Sequence, residues 1–254
     1  MPKKNEFLQI IAVQLSRLDA ARTRLLNGQD AEALHDFRVA LRSLRSLLPI
    51  VLKRSKRLDG RILAAWKALA QFTGPTRDAE VLLSLVGEQM SASQRAALAV
   101  THREGLAAIS AALAGPDFAQ LAHISLQQCR LRIEVCGSLL LKRRIKSQAK
   151  GYENCLDQAA KNESPSLEQW HERRLTIKRL RYLSLLAAKW LPNRVNQLQI
   201  PLKQAQTAIG KLHDAELIAQ FMHKQKIKKP LIRKAYKAWH KLRCLQKAEF
   251  MVLG

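Results

Sequence analysis

The stretch HDFRVALRSLR at residues 35–45 returns 136 positions later as HERRLTIKRLR at residues 171–181. The same offset carries Lys67 onto Lys203, Gly74 onto Gly210, and Asp78-Ala79-Glu80 onto Asp214-Ala215-Glu216. Residues 35–47 and 67–80 together share 10 identities in 27 positions with their counterparts. Chance at ordinary composition would give about two. A constant offset across two separated windows constrains the fold more than any other feature. It predicts a duplication: two similar halves, about 1–140 and 141–254, related by an internal pseudo-twofold.

Each half reads as helical. Ala, Leu, Lys, Arg and Gln dominate, and these are strong helix formers. No segment shows sustained alternation rich in β-branched or aromatic residues, so no strand is predicted. Breaks fall at Asn27-Gly28, Gly74-Pro75, Gly115-Pro116, Ser164-Pro165-Ser166, Leu191-Pro192 and Lys229-Pro230. Asp30 is a candidate N-cap, and Gly137 and Gly151 are candidate bends. The expectation is an all-α protein with two helical bundles and about eight to ten helices.

The repeated motif has a definite shape on a helix. With 100° per residue and Leu34 at 0°, Phe37, Leu41, Leu44 and Leu48 fall at about 280–340°. They form one apolar stripe that should face a core. His35, Arg38, Arg42 and Arg45 fall at about 20–100°. They form a second stripe at the rim of the core. His171, Arg174, Lys178 and Arg181 repeat it. There the apolar stripe is less clean, because Arg173 takes the place of Phe37 and Ser184 that of Leu48.

Neither basic stripe contains an acid. Like charges one turn apart cost an isolated helix about 0.2–0.5 kcal/mol per pair, and a bound polyanion would relieve that cost. Arginine suits phosphate because its planar fork donates two parallel hydrogen bonds. If the arginines were merely structural, Asp78 and Asp214 would be candidate partners.

Charge supports the anionic ligand. The chain of 254 residues has 44 Lys and Arg against 20 acids, a formal net charge of +24. The excess is concentrated after residue 127, where 27 basic residues face 9 acidic ones. Such an imbalance points to a phosphate-rich polyanion and to salt-dependent binding. Basic runs at 141–146 and 224–243 could extend the surface. Arg77 and His213, each just before the motif Asp, could join the site or mark a helix start.

Other chemistries find little support. There is no P-loop, G-x-S-x-G or dinucleotide fingerprint, so no catalytic residue and no cofactor is expected and the protein is read as a non-enzyme. Asp78/Glu80 and Asp214/Glu216 are two residues apart and diverge on a helix. The cysteines form no C-x-x-C pair, and cations around His35 and His171 oppose a divalent metal, so no metal site is expected. Aromatics make up 5% of the chain and do not interleave with the basic stripes, which makes nucleic acid a lesser alternative. A metal-chelating or scaffold protein is a further alternative. The N-terminus lacks a signal-peptide pattern and no apolar run is long enough to cross a bilayer. The expected location is the cytoplasm.

LHDFRVALRSLRSLL followed by GPTRDAEVL, then WHERRLTIKRLRYLSLL followed by AIGKLHDAELIA, resembles the CHAD family, the conserved-histidine α-helical domain. The resemblance spans roughly residues 5–245, leaving no room within them for the CYTH-type triphosphatase domain often linked to the family. It implies an all-α fold of two bundles and binding of inorganic polyphosphate in a basic groove or pore. It implies His35, Arg38, Arg42 and Arg45 in one half and His171, Arg174, Lys178 and Arg181 in the other. Lys67 and Lys203, seven residues before each motif glycine, are added to the set. Association with polyphosphate granules or polyphosphate-related enzymes would follow.

Overall fold

The computed structural model of the chain describes residues 4–28, 30–162 and 166–224. The described residues are mostly helical, with no strand among them. The chain divides into two compact units, Met1–Lys146 and Ser147–Gly254.

The first unit holds α1 (Lys4–Asn27), α2 (Ala33–Val51), α3 (Arg57–Phe72), α4 (Gly74–Val86), α5 (Ala92–Ala114) and most of α6 (Pro116–Ala160). Helix α1 packs on α2 and α5, α2 on α3, and α4 on α5. The predicted apolar stripe of α2 is its core face: Leu34, Phe37, Leu41, Leu44 and Leu48 are all buried. Each such side chain contributes about 1.5–3 kcal/mol on burial. That outweighs the repulsion along the neighbouring basic stripe, so α2 folds in spite of it. Phe118 joins Phe37 and Trp66 in an aromatic cluster, its ring centroid 6.0 Å from each of theirs. Trp66 Nε1 donates to Ser125 Oγ at 2.9 Å, which satisfies the buried indole.

The second unit holds the end of α6, then α7 (Leu167–Leu186), α8 (Asn193–Gln197) and α9 (Gln199–Lys224). Helix α7 packs on α9. Ile177, Leu180 and Leu183 of α7 are buried, as are Leu202 and Ile209 of α9. A capping box starts α7, with Ser166 Oγ accepting from the Gln169 amide and the Gln169 side chain accepting from the Ser166 amide.

Several breaks fall where the sequence places them. Gly28 (φ 70°) follows α1, Gly74 and Pro75 open α4, and Gly115-Pro116 separates α5 from α6. Gly137 interrupts α6 with φ 69° and ψ 166°, a backbone state that suits glycine. Two expectations need correction. Gly151 lies within α6 and breaks nothing. Asp30 is not the N-cap of α2, whose capping residue is Glu32. Asp30 instead accepts from the Glu32 amide at 2.9 Å and pairs with Arg24. The break at Lys229-Pro230 lies outside the described residues.

Candidate functional site

In the first unit the basic stripe lies at the rim of the core. His35, Arg38, Arg42 and Arg45 are all half-buried, between the buried stripe and solvent. The single acid of the motif, Asp36, is kept out of the row. It is exposed and accepts from Arg24 Nη1 of α1 at 2.6 Å.

Arg38 is anchored. Its Nη1 donates to the Ala70 carbonyl at 3.1 Å and to Thr73 Oγ1 at 2.9 Å, both at the junction of α3 and α4. A β-carbon at Gly74 would lie 3.9 Å from the same nitrogen, so α4 begins against the Arg38 side chain. Burial, followed by the charge of Arg42, pulls the Arg38 guanidinium below its ordinary pKa; Asp78 pushes the other way, against Arg77 and Arg45. Four arginines and one carboxylate therefore share one electrostatic neighbourhood. Arg77 is paired with Glu80 on α4 itself.

Lys67 joins this region through α3. It is exposed and stands one turn before Ala70, on the side of α3 that receives Arg38. In the second unit the donor is a different arginine of the row, the counterpart of Arg45 rather than of Arg38. Arg181 Nη1 of α7 donates to Gln206 Oε1 of α9 at 3.2 Å, and the exposed Lys203 stands one turn before Gln206. Ala70 and Gln206 occupy equivalent places in the repeat. Arg174, Lys178 and Arg181 are half-buried along α7, and His171 is exposed nearer its start. Each unit thus ties its basic row to a helix that carries one of the repeated lysines, α3 in the first and α9 in the second. An arrangement of this kind offers guanidinium and ammonium donors to an anion.

The two departures in the second motif have structural reasons. Arg173 is buried, and its Nη2 donates to the carbonyls of Ala159 and Asn162, the latter at 3.1 Å. It therefore caps the C-terminus of α6, where a cation is favoured. Its guanidinium lies over the Trp170 ring at 4.9 Å. Burial lowers the Arg173 pKa. Ser184 is buried with its Oγ donating to the Arg181 carbonyl at 2.9 Å.

The helix-start reading of the motif acid does not hold. Asp78 lies beyond the first turn of α4, and Asp214 lies within α9. The anchoring acceptors Thr73 and Gln206 escaped the sequence reading. Their signal was available: each lies within two turns after a repeated lysine. The run 141–146 is on α6, whereas 225–243 lies outside the described residues. Among the described residues no group of three or more His, Cys, Asp or Glu could hold a metal ion. Among them no helix is long and apolar enough to cross a membrane.

A comparison with curated proteins finds no match. Among solved structures, the crystal structure of the CHAD domain from the plant Ricinus communis is similar, with a TM-score of 0.73 at 19% sequence identity. The alignment covers 98% of this chain and 87% of that one, and at this identity it speaks to the fold. The family model of the CHAD domain matches residues 9–223, which contain both basic rows and both lysines. On that match, and with two histidine- and arginine-bearing helices at the place the repeat requires, the chain belongs to the CHAD domain family.

Proposed function

We propose that this protein binds inorganic polyphosphate and does not transform it. The observation that carries the reading is the repeated basic row. On α2 it is His35, Arg38, Arg42 and Arg45 with Lys67 beside it; on α7 it is His171, Arg174, Lys178 and Arg181 with Lys203 beside it. Arg42 and Arg45, and Lys178 and Arg181, are the phosphate ligands, and Lys67 and Lys203 add charge from α3 and α9. Arg38 spends one nitrogen on the α3–α4 junction and so presents the rest of its guanidinium in a fixed orientation. A chain of phosphates has no bases to stack, and the rows offer no aromatic platform. Residence in the cytoplasm, on polyphosphate granules, or beside an enzyme of polyphosphate turnover belongs to the same proposal.

Calorimetric titration with long-chain polyphosphate at near-physiological salt tests it. Single-stranded RNA at equal phosphate is run beside it. Tight binding of polyphosphate, weak binding of RNA, and loss of the former in Arg42→Ala/Lys178→Ala are expected. Equal binding of both polymers, indifferent to the substitutions, would reduce the interaction to net charge and defeat the reading.

A further inference from the structure

Helix α4 is docked against the arginine row of α2. Arg38 Nη1 donates to Thr73 Oγ1, immediately ahead of α4, and lies 3.9 Å from where a Gly74 β-carbon would stand. Asp78 follows Gly74 by four residues, one turn along the same side of α4. It is half-buried there. Its neighbour Arg77 already has a carboxylate, that of Glu80. The charges that act most on Arg38 are those of Arg42, Asp78, Arg77 and Arg45, and Asp78 is the acid among them.

We propose that Asp78 is a positioning residue of the phosphate site in the first unit, an internal counter-ion that holds the α2 arginines in order while the site is empty. Arg38, Arg42 and Arg45 succeed one another at single-turn intervals and repel. Without an anion beside them the longer side chains would splay toward solvent. Ordering them again on binding would then weaken affinity. A carboxylate fixed on a docked helix removes that need. It also explains why an anion-binding surface tolerates an acid at its edge. Asp214 holds the equivalent place in the repeat.

The binding arm of this proposal rests on the polyphosphate reading, and its sign separates it from plain electrostatics. Asp78→Asn makes the protein more positive by one charge. Net charge alone therefore predicts tighter polyphosphate binding. Loss of positioning predicts weaker binding, by about five-fold if the pair is worth what partly exposed pairs usually are. A second arm needs no ligand: the order of the arginine Nε–Hε groups of α2 in the free protein, read by ¹⁵N relaxation. Order should fall in Asp78→Asn and return in Asp78→Glu, which restores the charge. Unchanged or tighter binding together with unchanged arginine order would overturn the proposal. If the wild type binds no polyphosphate, the functional reading fails, while the arginine order still decides the role of Asp78. Should Asp78→Asn not fold, Asp78→Glu carries the test. Order and affinity kept within about two-fold support the charge as the operative feature. Loss of both with the fold intact overturns it.

Discussion

Asp59 has no exposed surface, yet it carries a charge that three neighbours share. The Lys53 amide donates to Oδ2 at 2.9 Å, Gln128 Nε2 to Oδ1 at 2.6 Å, and Arg132 to both oxygens at 3.1–3.3 Å. Burial alone would raise its pKa; the Lys53 amide, Arg132 and Gln128 together outweigh that, and the carboxyl sits below its usual value. A depressed folded pKa means that ionised Asp59 stabilises the fold fully above the usual carboxylate value of about 3.9. The contribution fades as pH falls below that value through the folded one. Asp59→Asn should therefore cost about 2 kcal/mol at neutral pH. Urea unfolding at pH 7 and pH 3 should show the gap between wild type and variant narrowing in acid. A gap that stays constant would mean the charge contributes nothing. This residue was illegible in the sequence, since its partners lie on the link after α2 and on α6. Arg173 was half legible. Its misfit with Phe37 announced a different environment, but the carbonyls of Ala159 and Asn162 that explain it come from the end of another helix.

At the scale of elements, the repeat preserves positions and changes connections. The first unit breaks at Thr73 and starts α4 at Gly74; the second runs straight through Gly210 in α9. Pro75 accounts for the difference. It suits the first turn of a helix and disfavours continuation from a preceding one, and Lys211 stands in its place. The motif glycine was therefore legible as a conserved spacing within the chain but not as a common backbone role. The helix ends marked by Gly28, Gly115 and Pro192 were legible because their signals are local. The close approach of α4 and α5 was not, because it depends on which helices meet. Gly105 of α5 faces Thr76 of α4, and a β-carbon there would stand 3.1 Å from Thr76 Cγ2, 3.2 Å from its Cβ, and closer still to its Oγ1. Alanine normally favours a helix over glycine by about 1 kcal/mol. Here overpacking costs about 1–3 kcal/mol, so Gly105→Ala should destabilise the protein on balance. Thr76→Ala in the same chain should recover the loss, which thermal unfolding of the single and double variants would show. A stabilised single variant would mean that the two helices are free to separate.

At the scale of the molecule, the open issue is whether +24 charges act as a cloud or as a site. The net charge was legible at once, and so were the rows, since periodicity places them beside the core stripe. What the sequence could not supply was which cations a ligand would displace counterions to reach. Salt dependence distinguishes the cases. For a single-stranded polyanion the slope of log K against log salt is about −0.7 per phosphate neutralised. On the proposed site, Arg42→Ala/Lys178→Ala removes two phosphate contacts and should therefore flatten the slope by about 1.4. Arg143→Ala/Lys146→Ala removes the same net charge from two exposed positions on α6, away from the rows in sequence. A site predicts an unchanged slope there, with only a small general loss of affinity. A cloud predicts equal flattening in both pairs, because each counterion released would then depend on total charge alone. Measuring both pairs across a salt series thus assigns the charge to the helices that use it.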